Sequence, residues 1–293
     1  MSATRVGPDR GRGQWLALAC LLGPALVFLV VFYLTPFVRM LVESVHDPQA
    51  AAGLGLFSLE HYEKMLASGR IRRALMRTVR ISALSTLITL ILAYPLALYL
   101  REAGRRVRTV VLSVVFVSLA SSLIGRNYGW LVTLSDAGPV NSLLQALGIV
   151  TRPLRLVYNE SATVVALVHY AIPFMVLPIF AALIRIPDSL SESARSLGAP
   201  PHRVLREIVW PLSIPGVFGG TVLTFSLCMS AFVTPLMLGS PATSMISQVA
   251  AEQFLVQLAF PYGSAIIVTL TALTFTIVFV YAVAVRKVFR VHV

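Results

Sequence analysis

An all-α integral membrane protein with six transmembrane helices is the fold this sequence predicts, on three observations. Hydrophobic residues fill 57% of the 293 positions and charged residues only 12%, about half the charged share of a soluble domain. The apolar residues fall into continuous runs of about twenty or more, the length that crosses a roughly 30 Å hydrocarbon core. These runs do not alternate as barrel strands do and are about twice a strand's length, so helices must satisfy the backbone. A soluble enzyme or a nucleic-acid binder is excluded, and the net charge of +12 has to be read by membrane side.

Six runs qualify as spans: residues 15–38, 81–100, 109–134, 161–184, 212–238 and 263–285. The first follows Arg10 and Arg12, as a signal sequence would, but it is longer than a signal h-region and reads as an uncleaved span. Residues 1–14, rich in Gly and Arg, read as a cytoplasmic tail, and residues 15–290 as one transmembrane domain without internal repeats.

An even number of spans puts both termini on one side. That side collects Arg5, Arg10, Arg12, Arg101, Arg105, Arg106, Arg108, Arg185, Arg195, Arg203, Arg206, Arg286, Lys287 and Arg290, fourteen cations against ten opposite. The positive-inside rule makes it the cytoplasm. The cluster from Arg70 to Arg80 falls on the other side and reads as an amphipathic segment at the outer interface, its arginines reaching for headgroups. Cys20 and Cys228 lie far apart inside apolar runs and read as small core residues, with neither disulfide nor metal-ligand spacing.

What the spans lack narrows the chemistry. A proton-coupled carrier normally holds Asp, Glu or His within the bilayer. Here no span contains Asp or Glu; the polar exceptions are His169 in the fourth span, where packing is the commoner role for a lone histidine, and Arg126 near the outer end of the third. The chain has no P-loop, since its two lysines precede Met65 and Val288 rather than Ser or Thr. No zinc-protease or nucleophile-elbow motif is present, so no catalytic and no metal-binding residue is expected.

The connection between spans four and five reads IPDSLSESARSLGAPPHRVLREIVWPLSIP, residues 186–215. Ser189 followed by Glu192 makes a capping-box pattern that starts a helix. Gly198 suits the left-handed position beyond its end, and Pro200 and Pro201 restart the chain as a second short helix over residues 202–210, ended by Pro211 and Pro215. The prediction is two short helices with a sharp turn on the cytoplasmic face.

Glu192-Ser193-Ala194, Gly198, Ile208 and Trp210-Pro211 resemble the EAA loop of permease subunits of binding-protein-dependent ABC importers. Ser193 replaces the usual second Ala, and Trp210 the usual Leu before Pro. The segments at 126–149, 168–180, 231–241 and 260–265 are similar to the first permease of spermidine/putrescine-type importers, a subfamily with relatives for ferric ion and phosphonate-type compounds. The resemblance implies a bacterial inner-membrane permease whose loop is a coupling helix docked on an ATPase. It also implies two ATPase subunits carrying ATP and Mg, a second related permease and an external solute-binding protein; nucleic acid is not among the partners. Within it, Gly198 permits the turn and close approach, Ala194 keeps the contacting face small, Pro211 closes the motif, and Glu192 either caps its own helix or pairs with a basic residue of the ATPase.

Pro173 and Pro178 in span four, and Pro235 and Gly239 at the end of span five, supply points where helices can break, which directs attention to spans three to five. Candidate lining residues are Asn127, Tyr128, Trp130, His169, Tyr170, Ser230 and Thr234, although Tyr128 and Trp130 fit an aromatic belt equally well. For a polyamine, aromatic faces and carboxylates would receive the ammonium groups. Glu252 is the carboxylate chosen, because it sits on a largely apolar segment before the last span, where an unpaired charge would be costly. A stand-alone secondary carrier and a non-transporting scaffold are the alternatives, and neither explains the 186–215 loop.

Overall fold

The computed structural model describes residues 20–46 and 57–290. The expected tail at 1–14 and the first residues of the first span lie outside the described residues. In chain order the helices are α1 (Cys20–Ser44), α2 (Glu60–Ala67), α3 (Gly69–Glu102), α4 (Arg105–Ala120), α5 (Leu123–Leu134) and α6 (Pro139–Ala146). There follow α7 (Glu160–Leu183), α8 (Asp188–Ser196), α9 (Pro201–Met229), α10 (Val233–Leu238), α11 (Ile246–Leu255) and α12 (Phe260–Arg290). No strand occurs among the described residues, so the all-α expectation holds. Five helices, α1, α3, α7, α9 and α12, are long and apolar enough to cross a membrane unaided, and α4 with α5–α6 makes a sixth crossing only as a pair bent by 101°.

Local chemistry sets several helix starts. The Asn159 side chain accepts the Ala162 N–H at 2.8 Å, and Ser68 and Ser122 receive the Ile71 and Gly125 N–H groups at 3.5 and 3.4 Å. Each satisfies an amide that the first turn leaves open. Pro139 and Pro201 stand in first turns, where a missing N–H costs nothing.

The centre of the bundle is α7, which packs along both α3 and α9. Lipid offers no hydrophobic gain between helices, so close approach depends on small residues. Gly216 and Gly220 of α9 supply it: a Cβ on Gly216 would lie 2.6 Å from the Pro178 carbonyl and 2.6 Å from Ala182 Cβ, and one on Gly220 would lie 2.8 Å from Met175 Sδ. On the other flank the fully buried Ala93 and Ala97 of α3 join Met175, Val176, Ile179 and Leu183 in the largest core cluster.

Five expectations are corrected. The third span is not continuous: α4 ends at Ala120, Ser121 is extended, and α5 leaves at a sharp angle. The fifth span ends at Met229, and the stretch to residue 238 is a separate helix beginning at Val233. The second loop helix is not ended by Pro211 and Pro215 but runs unbroken into span five. Residues 205–209 form a π-turn there, with the Trp210 N–H reaching back to the Leu205 carbonyl, and this wider turn absorbs the donor and the space that Pro211 denies an α-helix. The same device, Val30–Leu34, precedes Pro36 in α1. Finally, Arg70 to Arg80 are not a separate interfacial segment. They form the first turns of the 34-residue α3, which at about 51 Å overshoots the hydrocarbon core and carries them beyond it. Conversely, Pro173 and Pro178 do not break α7.

Candidate functional site

Both breaks meet at one place. A cavity of 230 Å³ is lined by Leu123, the first residue after the α4–α5 break, by Ser230, Ala231 and Phe232, which are the α9–α10 break, and by Tyr170 of the unbroken α7. Thr234, on the first turn of α10, completes the polar lining. Of the seven expected lining residues in the spans, Tyr170, Ser230 and Thr234 therefore share one cavity wall.

Three more are held behind it in pairs. Asn127, 1% exposed, and Thr234, 2% exposed, exchange hydrogen bonds, with Asn127 Nδ2 donating to Thr234 Oγ1 at 3.1 Å and the threonine hydroxyl 3.2 Å from Asn127 Oδ1. This pair ties α5 to α10 across a sequence separation of 107 residues. The Trp130 indole donates to His169 Nδ1 at 3.0 Å, tying α5 to α7. Tyr128 does not join them: it is 61% exposed on the outward side of α5. Ser230 spends its hydroxyl on the Ser226 and Leu227 carbonyls of the preceding turn, at 3.1 and 3.2 Å.

Arg126, which residue type alone marked as an exception, belongs to this group. Its guanidinium lies 5.7 Å over the Tyr170 ring and donates to the Ser118 carbonyl and the Ser121 hydroxyl at the end of α4. A charged residue inside a predicted span was the available signal; the bend that turns it onto Tyr170 was not visible in hydropathy.

Glu252 stands elsewhere, on α11, and is not unpaired. Arg70 binds it through both guanidinium nitrogens, Nη1 at 3.2 Å from Oε1. That hydrogen-bonded guanidinium holds the Glu252 carboxyl below the usual carboxylate range. The premise of a costly unpaired charge is thus corrected: the two residues are 182 apart in sequence, so no local pattern could join them. At the same end of the bundle Arg77 Nε meets Glu160 Oε1 at 2.9 Å, with Arg80 on the other carboxylate oxygen.

The opposite end carries α8. Its C-terminus forms the expected glycine turn: Gly198 has φ +83°, its N–H donates to the Arg195 carbonyl at 2.9 Å, and the Ala199 N–H donates to Ala194 at 3.0 Å. The expected capping box is absent. The helix begins two residues earlier, at Asp188 behind Pro187, with no side-chain cap, and Glu192 is exposed. Arg101 of α3 anchors this start through Asp188 Oδ1 at 2.9 Å and the Ile186 carbonyl at 3.2 Å. Ala194 turns inward against the core cluster rather than outward, while Ser193 is exposed and Leu197 is 89% exposed. A Cβ on Gly198 would meet no atom of this chain within 4 Å, so its close approach, unlike its turn, has no counterpart here. Pro211 lies in the first turn after the π-turn.

Residues 52–290 match the family model of the binding-protein-dependent transport system inner membrane component. The chain belongs to this family. As such a component it is a multi-pass inner-membrane permease subunit of an ABC importer, the family that the 186–215 loop and the spans resembled. It is 29% identical over 255 residues to the spermidine/putrescine transport system permease protein PotB of Escherichia coli (strain K12), covering 87% of this chain and 92% of that one. To PotB of Haemophilus influenzae it is 30% identical over 204 residues, 70% of this chain and 71% of that one. The fold matches a chain of the bacterial alginate ABC transporter in complex with alginate pentasaccharide-bound periplasmic protein, with a TM-score of 0.80 over 97% of this chain and 98% of that one at 21% identity.

Proposed function

We propose that this permease subunit imports a polyamine-like cation such as spermidine or putrescine. ATP-driven closure of partner ATPases reaches the bundle through α8. Likeness to PotB over 87% of the chain supports the solute class. The observation that carries the pathway is the convergence of two helix breaks and the Tyr170 face on one cavity. Discontinuous helices around an intramembrane site leave backbone groups free to meet a solute and give the bundle hinges. The Tyr170 face suits an ammonium group, and the Ser230 and Thr234 hydroxyls suit its N–H donors. Asn127, Trp130 and His169 support that wall, and Tyr128 and Glu252 stand outside it.

The coupling role of α8 rests on its glycine-turned end, its exposed Glu192, Ser193 and Leu197, and its anchoring to α3 through Arg101 and Asp188. An ATPase groove receives an exposed leucine at a rigid turn well, because the turn loses little conformational freedom on docking. Two ATPase subunits carrying ATP and Mg, a second permease and an external binding protein complete the assembly, with α8 and both termini on the cytoplasmic side.

The test is co-expression with the neighbouring cistrons, reconstitution in liposomes and measurement of binding-protein-stimulated ATP hydrolysis against putrescine, spermidine, ferric ion and aminoethylphosphonate. Stimulation by polyamines alone is expected. Stimulation by ferric ion or the phosphonate instead would replace the solute assignment, and failure of any ATPase to co-purify would remove the coupling role of α8.

A further inference from the structure

Arg126, which the sequence places near the outer end of the third span, is turned by the α4–α5 bend onto Tyr170 of α7. Tyr170 follows Glu160, the first residue of α7, by ten residues, about 15 Å along the axis and so near the middle of a 30 Å core. A guanidinium held over that ring lies deep in the membrane, where a charge persists only if it is satisfied or functional. Among the described residues no carboxylate pairs with Arg126. Its partners are the Ser118 carbonyl, the Ser121 hydroxyl and the Tyr170 ring, with the Ser121 carbonyl at 3.4 Å. The Ser118 carbonyl lies in the last turn of α4, which lacks backbone donors and bears the negative end of the helix dipole, and it also accepts the Ser121 hydroxyl at 2.9 Å; the Ser121 carbonyl follows just beyond that helix. Carbonyls on one side and an aromatic face on the other make a receptor for an organic cation, and the cavity opens on the same tyrosine.

We propose that Tyr170 and the last turn of α4 form a subsite for a primary ammonium or guanidinium group, and that Arg126 is its tethered occupant when solute is absent. A solute cation entering the 230 Å³ cavity competes for the ring, and Arg126 then releases the carbonyls that it bridges across the 101° bend. Displacement therefore frees the joint between α4 and α5 when solute is present. The idea rests on a cationic solute and adds to it a named subsite and a competitor within the protein.

The experiment uses the whole importer complex and reads equilibrium binding of radiolabelled spermidine in the nucleotide-free state, with binding-protein-stimulated ATP hydrolysis as a separate readout. Arg126→Gln keeps a donor for the carbonyls and removes the competing charge, so spermidine should bind more tightly, by about two- to thirty-fold, the span of a cation–π contact. Tyr170→Leu should weaken binding by a similar factor, while Tyr170→Phe, which keeps the face, should not. Weaker or unchanged binding in Arg126→Gln, or unchanged binding in Tyr170→Leu, overturns the subsite even when polyamines still stimulate ATP hydrolysis. If a non-cationic solute alone stimulates the wild-type complex, the polyamine assignment fails, and that outcome is distinguished by the panel rather than by the variants.

Discussion

The indole N–H of Trp130 donates to Nδ1 of His169 at 3.0 Å, with the two rings edge-on at 5.8 Å. Because Nδ1 accepts, it carries no proton, and the imidazole is the tautomer protonated at Nε2. The bond joins α5, downstream of the bend, to the unbroken α7, so it helps define where the broken span comes to rest.

Removing either partner should expose that dependence. His169→Ala leaves a part-buried indole donor without an acceptor and should lower stability by about 1–3 kcal/mol, whereas Trp130→Phe removes the donor itself and should cost less for the hydrogen bond. The double variant should be less destabilised than the sum by about 1 kcal/mol. Thermal unfolding of the purified complex, run as a double-mutant cycle, checks this, and strict additivity would show that the bond carries no coupling.

Close packing of α7 on α9 makes a second prediction. Gly216→Ala drives a methyl to 2.6 Å from the Pro178 carbonyl, and backbone cannot yield as a flexible side chain does; the cost should be about 1–3 kcal/mol. Gly219→Ala is the control, since its Cβ would meet nothing nearer than Pro178 Cβ at 4.0 Å. Comparable melting temperatures for the two variants would contradict the packing argument.

At the α8 turn, conformation and contact can be separated. Gly198→Val should strain the φ of +83° by about 1–3 kcal/mol even though space is open, and Gly198→Asn should be milder. Leu197→Glu should leave the permease itself as stable as wild type, because the side chain is 89% exposed, yet reduce ATPase co-purification and stimulated hydrolysis at least several-fold. Full co-purification of the Leu197→Glu complex would place the ATPase contact elsewhere.

The Arg70–Glu252 pair has a defined pH sign. Its carboxyl is held below its ordinary value of 4.5 in the folded protein, so the pair's contribution is fully present above that ordinary value and disappears as pH falls through the depressed one. Both side chains are substantially exposed, which limits the contribution to about 1 kcal/mol and makes it salt-sensitive. Glu252→Gln should therefore be slightly less stable than wild type at pH 7 and equal to it in strong acid, measured by chemical denaturation. A difference that grows on acidification would reverse the sign and remove the pair as its source.

The positions of the α3, α7 and α12 spans were legible because transfer into hydrocarbon is close to additive along the chain and needs no knowledge of neighbours. The glycine turn at residue 198 was legible for a related reason: a left-handed residue after a helix is a local demand of the backbone. The same local logic failed at Ser189 and Glu192, where Pro187 and the Arg101 anchor start the helix earlier, and at Pro211, where a π-turn rescued continuity. Proline announces a missing donor, but whether the chain breaks, bends or widens depends on what packs around it. Hence α7 continues unbroken through Pro173 and Pro178, while the real breaks fall at Ser121 and at residues 230–232.

By itself, then, the sequence determined an all-α membrane protein, most of its spans, its family and the turn that ends α8, all consequences of hydropathy and backbone conformation acting over a few residues. Only the tertiary structure decided which polar groups meet. Asn127 with Thr234, Trp130 with His169, Arg126 with Tyr170 and Arg70 with Glu252 join helices distant in sequence. Their energies depend on distance and local dielectric, quantities that exist only once the helices are packed.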